Sequence, residues 1–77
     1  MSRFSPKNPY RIEVVFAEAI ADLGNCFSET SGSLANAKAA AERIRNTYGK
    51  PCHCTIRHNK AQYPSFDWEI VESYDLQ

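Results

Sequence analysis

From residue 34 onward the apolar positions fall three and four apart: Leu34, Ala37, Ala41, Ile44 and Tyr48. That spacing lines them along one stripe of an α-helix, with Lys38, Glu42 and Arg45 on the opposite side. Ser33 stands where its hydroxyl can accept a bond from a free N–H of the first turn. Gly49 supplies the left-handed position after the last turn, and Pro51 blocks continuation. The pattern predicts a helix over residues 34–48, and alanine at 39–41 lets it lie close to a sheet.

The period then changes to two. Cys52, Cys54 and Ile56 alternate with His53, Thr55 and Arg57, which predicts a strand with the first three facing a core. Residues 58–65, polar and containing Pro64, read as a loop. A further strand is expected from Phe66 to Tyr74, with Phe66, Trp68 and Ile70 on one face and Asp67 and Glu69 on the other. These two strands form an antiparallel pair under the helix.

The first third fits two patterns. Tyr10, Ile12, Val14 and Phe16 alternate with Arg11 and Glu13, as in a strand, with a hairpin partner around Cys26 and Phe27. Ile12, Val15, Phe16, Ala19, Ile20 and Leu23 also share a helical arc, with Pro9 at its first turn and Gly24 as its stop. The β-prone Val14-Val15-Phe16 centre favours strands. Residues 28–33 read as a loop. The expected fold is therefore α+β, an antiparallel sheet of three to four strands covered by one helix in the order ββαββ, with ααββ as the alternative.

Seventy-seven residues make one domain, spanning 1–77, with room for one thin core. No apolar run approaches the roughly 18 residues of a membrane span. Met1 to Pro9 lacks the pattern of a secretory signal, and the expectation is a cytosolic chain. Cys26, Cys52 and Cys54 are odd in number, which suits reduced thiols better than a disulfide framework.

Charge sharpens the picture. The chain is neutral overall, yet residues 34–60 carry Lys38, Arg43, Arg45, Lys50, Arg57 and Lys60 against Glu42 alone. Residues 61–77 carry only acids: Asp67, Glu69, Glu72 and Asp75. The basic run, with His58 and Tyr63, is the candidate partner-binding patch, able to meet phosphates or an acidic protein surface. The same cations also serve simply to keep a short helix solvated. Of the aromatic residues, Phe4, Tyr63 and Tyr74 lie in polar or terminal contexts and are expected at the surface, as interface anchors or as lids on core edges.

Candidate chemistry is sparse. Cys52, Cys54, Cys26 and His58 invite a zinc site, but there is one Cys-x-Cys pair, its sulfurs face the expected core, and no second knuckle follows. Small buried hydrophobes account for those cysteines. A Cys–His nucleophile lacks a third orienting group, and no phosphate-binding glycine loop is present. No catalytic residue, metal or cofactor is expected, which predicts a protein that acts by binding.

The segment Ser33-Leu34-Ala35-Asn36-Ala37-Lys38-Ala39-Ala40-Ala41, between an N-terminal hairpin and two strands with Trp68 in the second, resembles the small phage-encoded anti-CRISPR proteins. The resemblance is one of arrangement over most of the chain. It implies a stoichiometric inhibitor, in the host cytoplasm, that docks on a CRISPR-Cas surveillance complex and blocks target-DNA binding or nuclease recruitment. The chain departs from the strongly acidic, DNA-mimicking members. The alternative is a small nucleic-acid-binding module using the basic helix and strand-end patch.

Overall fold

The computed structural model of the chain describes residues 8–61 and 65–77. Its elements run β1 (Tyr10–Phe16), a 3₁₀ turn (Ala21–Leu23), β2 (Cys26–Ser31), α1 (Leu34–Tyr48), β3 (Cys52–Asn59) and β4 (Trp68–Leu76). The order is ββαββ, so the helical alternative for the first third is set aside. The β-branched centre of β1 wins because its alternate residues all find a core: Ile12, Val14 and Phe16 are fully or almost fully buried.

All strand pairs are antiparallel, in the spatial order β2-β1-β3-β4. The helix packs across β1, β2 and β3 on one side only. Two layers suffice for a molecule whose thinnest extent is 16 Å. Ala37, Ala40, Ala41 and Ile44 lie against Ile12, Val14, Phe16, Cys52, Cys54 and Ile56. Small alanines permit this close approach, and one end of the core is closed by aromatics. Phe16 meets Phe27 and Tyr48 edge-on at 5.6 and 5.7 Å, while Phe27 and Tyr48 stack at 4.9 Å.

The helix ends where its sequence says it should. Ser33 Oγ accepts from the Asn36 amide at 3.1 Å. Gly49 sits at φ 65°, a left-handed conformation that costs glycine little, and its N–H reaches the Arg45 carbonyl at 2.7 Å.

Three expectations need correction. Residues 28–31, read as loop, belong to β2, because pairing with β1 gives their backbone groups partners that a polar sequence alone does not reveal. His58 and Asn59, also read as loop, extend β3. Asn59 then ties the end of β3 to the residues leading into β4. Its side-chain oxygen accepts from the amides of Ala61 at 3.2 Å and Asp67 at 2.8 Å, and its Nδ2 donates to the Ser65 carbonyl at 3.1 Å.

The third correction concerns the last strand, which spans Trp68–Leu76 rather than Phe66–Tyr74. Glu72 pairs with Ile56, but Ile70 pairs with Arg57, so Val71 has no opposite number. This β-bulge resets the alternation. Glu72, Tyr74 and Leu76 share the helix-covered side with Ile56, Cys54 and Cys52. Ile70 and Trp68 share the other side with Arg57 and Asn59. Ile70 is accordingly 59% exposed, and Phe66, just before the strand, is 46% exposed. Tyr74 packs on the edge of the core, one of the two placements its context allows, and its hydroxyl is buried without a hydrogen-bond partner among the described residues. Phe4 and Tyr63 lie outside the described residues.

Candidate functional site

Among the described residues, the helix covers one side of the sheet and no element covers the other face. Register decides which residues it displays, because side chains directly opposite on neighbouring strands share a face. The displayed rows are Arg11, Glu13 and Val15 on β1 and Thr30, Ser28 and Cys26 on β2. From β3 come His53, Thr55, Arg57 and Asn59, and from β4 Asp75, Ser73, Ile70 and Trp68.

One end of this face is apolar. Phe66 and Trp68 stack with ring centroids 6.1 Å apart, and Ile70 follows on the same strand. Val71 in the bulge is 39% exposed. The middle is a charge ladder: Arg11 and Arg57 stand directly opposite, and Glu13 lies 3.9 Å from the first and 3.2 Å from the second. A shared carboxylate offsets the repulsion of two facing cations.

The far end holds a polar triplet. His53 Nδ1 is 2.7 Å from Asp75 Oδ1, and Ser73 Oγ is 2.9 Å from His53 Nε2. Since a carboxylate only accepts, Nδ1 donates to Asp75; in the neutral ring Nε2 is then the acceptor, and the Ser73 hydroxyl donates to it. The residues were individually in view in the sequence, but nothing there joined them. The usable signal was His53 outward on β3 together with hydroxyl and carboxylate two apart at Ser73 and Asp75. Pairing of β3 with β4 in this register completes it. Beside His53 and Asp75 a shallow depression of about 320 Å³ is floored mainly by Val15, Phe16, Pro51 and Leu76.

The predicted basic patch meets a different fate: the fold brings acidic partners to its cations. Lys38 Nζ lies 3.2 Å from Glu72, and Arg43 makes a two-pronged contact with Glu29 at 2.6 and 2.8 Å. Arg45 Nε donates to the Gln77 carbonyl oxygen at 2.9 Å. Lys50 reaches Glu18 at 3.1 Å, Arg57 reaches Glu13, and Lys60 stands between Asp67 and Glu69 at 3.8 and 3.7 Å. His58 lies against the Tyr10 ring at 4.7 Å. The helix cations thus tie α1 to both outer strands, β2 through Arg43 and β4 through Lys38. Arg57 is on the uncovered face, while Lys38, Arg43 and Arg45 are on the helix. They do not converge on one site. Tyr63, the remaining candidate, lies outside the described residues.

Cys52 and Cys54 point into the core, as their alternation predicts, with sulfurs 3.9 Å apart. Burial, reinforced by Cys52, pushes the Cys54 thiol up to about 12. Burial likewise raises the Tyr74 phenol. Both groups are held in their neutral forms, suited to packing. Cys26 alone of the three thiols is exposed. No helix among the described residues is long and apolar enough to cross a membrane. No family model, curated protein or solved structure matches this chain.

Proposed function

We propose that the chain is a binding protein that docks on a protein partner through the uncovered face of its sheet. The observation that carries this reading is the exposed apolar surface of Phe66, Ile70 and Val71 around the half-buried Trp68, beside the Arg11–Glu13–Arg57 ladder. An aromatic centre flanked by arginine and a polar rim is the composition of an interface anchor. Size adds a constraint. Four strands about 4.8 Å apart, each rising about 3.3 Å per residue, present roughly 450 Å² in projection. A standard interface takes about 800 Å² from each partner.

The partner class follows from the arrangement that resembles anti-CRISPR proteins: a CRISPR-Cas surveillance complex, blocked stoichiometrically in the host cytoplasm. The nucleic-acid alternative loses ground because phosphates would have to displace carboxylates already paired with Lys38, Arg43, Lys50, Arg57 and Lys60. The test is capture of purified CRISPR effector complexes by the tagged chain, with Ile70→Lys as the control that removes the anchor. Complex formation lost in that variant supports the reading. Failure to hold any effector complex sinks the partner class, and capture indifferent to Ile70→Lys sinks the proposed face. Salt-sensitive DNA or RNA retention by the chain alone would restore the alternative.

A further inference from the structure

The Ser73–His53–Asp75 triplet has a geometry that protein docking does not require. A hydroxyl is bonded to an imidazole nitrogen whose ring is oriented by a carboxylate on its other nitrogen, at 2.9 and 2.7 Å. These are the nucleophile, base and orienting roles of acyl transfer. The backbone fixes the arrangement. His53 and Asp75 are direct cross-strand partners, and Ser73 is two residues from Asp75 on the same face. All three lie on extended strands rather than on loops, and the apolar depression adjoins His53 and Asp75.

We infer that Ser73 is an activated nucleophile that accepts an acyl group from short-chain esters. The Ser73 oxygen attacks the ester carbonyl carbon and forms the new C–O bond. His53 Nε2 takes the serine proton, and Asp75 stabilises the imidazolium. As the ester C–O bond breaks, that proton passes to the departing alkoxide, which leaves as an alcohol. Water, activated in the same way, later returns Ser73 and releases the acid. No oxidant or further co-reactant is needed.

The surroundings also set a limit on rate. His53 and Asp75 side chains are 50% and 66% exposed. A wet face stabilises a developing oxyanion less than an enclosed set of donors, each of which is worth about 10²–10³ in rate. Because β4 is an edge strand, alternate residues along it turn their N–H groups away from β3 and towards solvent. Acylation is therefore the step to look for, with slow release. This reactivity is separate from the docking proposed above and stands or falls without it.

The test uses the whole chain and a fluorophosphonate probe, whose phosphorus Ser73 attacks with loss of fluoride. Mass spectrometry locates the adduct, and p-nitrophenyl acetate gives the rate of acylation. Labelling confined to Ser73 is expected, abolished by Ser73→Ala. His53→Gln should slow it by about 10²–10⁴, the contribution of a positioned general base. Asp75→Asn should slow it less and should shift its pH profile, a change that lost stability would not produce. All three sites are on the uncovered face, and circular dichroism verifies that each variant folds. Labelling no faster than at Ser28 or Ser65, or a Ser73 rate unchanged by His53→Gln in a folded variant, overturns the inference.

Discussion

Ile70→Lys separates the bulged arrangement of β4 from a plain alternating strand. With the register step at Val71, Ile70 faces water and is 59% exposed. Complete burial of an isoleucine side chain is worth about 1.5–3 kcal/mol, so the portion at stake here is about 1 kcal/mol or less. Lysine keeps its aliphatic stem along the sheet and sends its charge into solvent. Had the alternation run unbroken from Leu76, Ile70 would stand opposite His58 and turn towards the helix-covered side. A buried unpaired ammonium would then cost several kcal/mol. The comparison is Ile56→Ala, fully buried and expected to lose about 2–5 kcal/mol. Urea unfolding followed by far-ultraviolet circular dichroism gives both values. A loss for Ile70→Lys equal to that for Ile56→Ala would refute the bulge and with it the composition of the uncovered face.

Phe16→Ala should cost about 3–5 kcal/mol in the same assay, because it removes the ring that Phe27 and Tyr48 both contact. Arg43→Gln should cost no more than about 1 kcal/mol despite its short contacts, since the pair with Glu29 is largely solvated, and raising salt should shrink the difference. In the folded protein a thiol reagent should modify Cys26 quickly and Cys52 and Cys54 only on unfolding; three fast thiols would contradict the packing. The Cys54 thiol has a higher proton affinity folded than unfolded, so its contribution to stability is complete below pH 9.0. It declines as pH rises from there towards about 12, and thermal melts of wild type against Cys54→Ala should converge over that range.

The elements that the sequence revealed are those governed by local rules. The helix at about 34–48 was legible because its apolar stripe is local and Ser33 and Gly49 mark its two ends. The inward face of β3 was legible because Cys52, Cys54 and Ile56 alternate without interruption, whereas the alternation of Ile12, Val14 and Phe16 only favoured a strand over a helical arc. What escaped notice depends on pairing between distant segments. Ser28 to Ser31 became strand only by meeting β1. The reversal at Val71 is invisible in the alternation of Trp68, Ile70 and Glu72, since all three look alike in period until a partner strand skips one residue. The charge runs misled for the same reason. A basic middle and an acidic tail look like separate patches along the chain, but folding lays Glu72 beside Lys38 and Glu69 beside Lys60. Ser73, His53 and Asp75 gained significance only through the β3–β4 register.

The unpaired residue at Val71 also bears on how the protein survives at high concentration. An exposed outer strand of nine residues is a template on which another molecule could zip. The kink divides that ribbon into two short stretches whose hydrogen-bonding directions no longer run in phase. A neighbour could follow one stretch but would fall out of step at the next. Glu72 and Asp75 add like-charge repulsion, so continuous self-pairing along this strand is disfavoured.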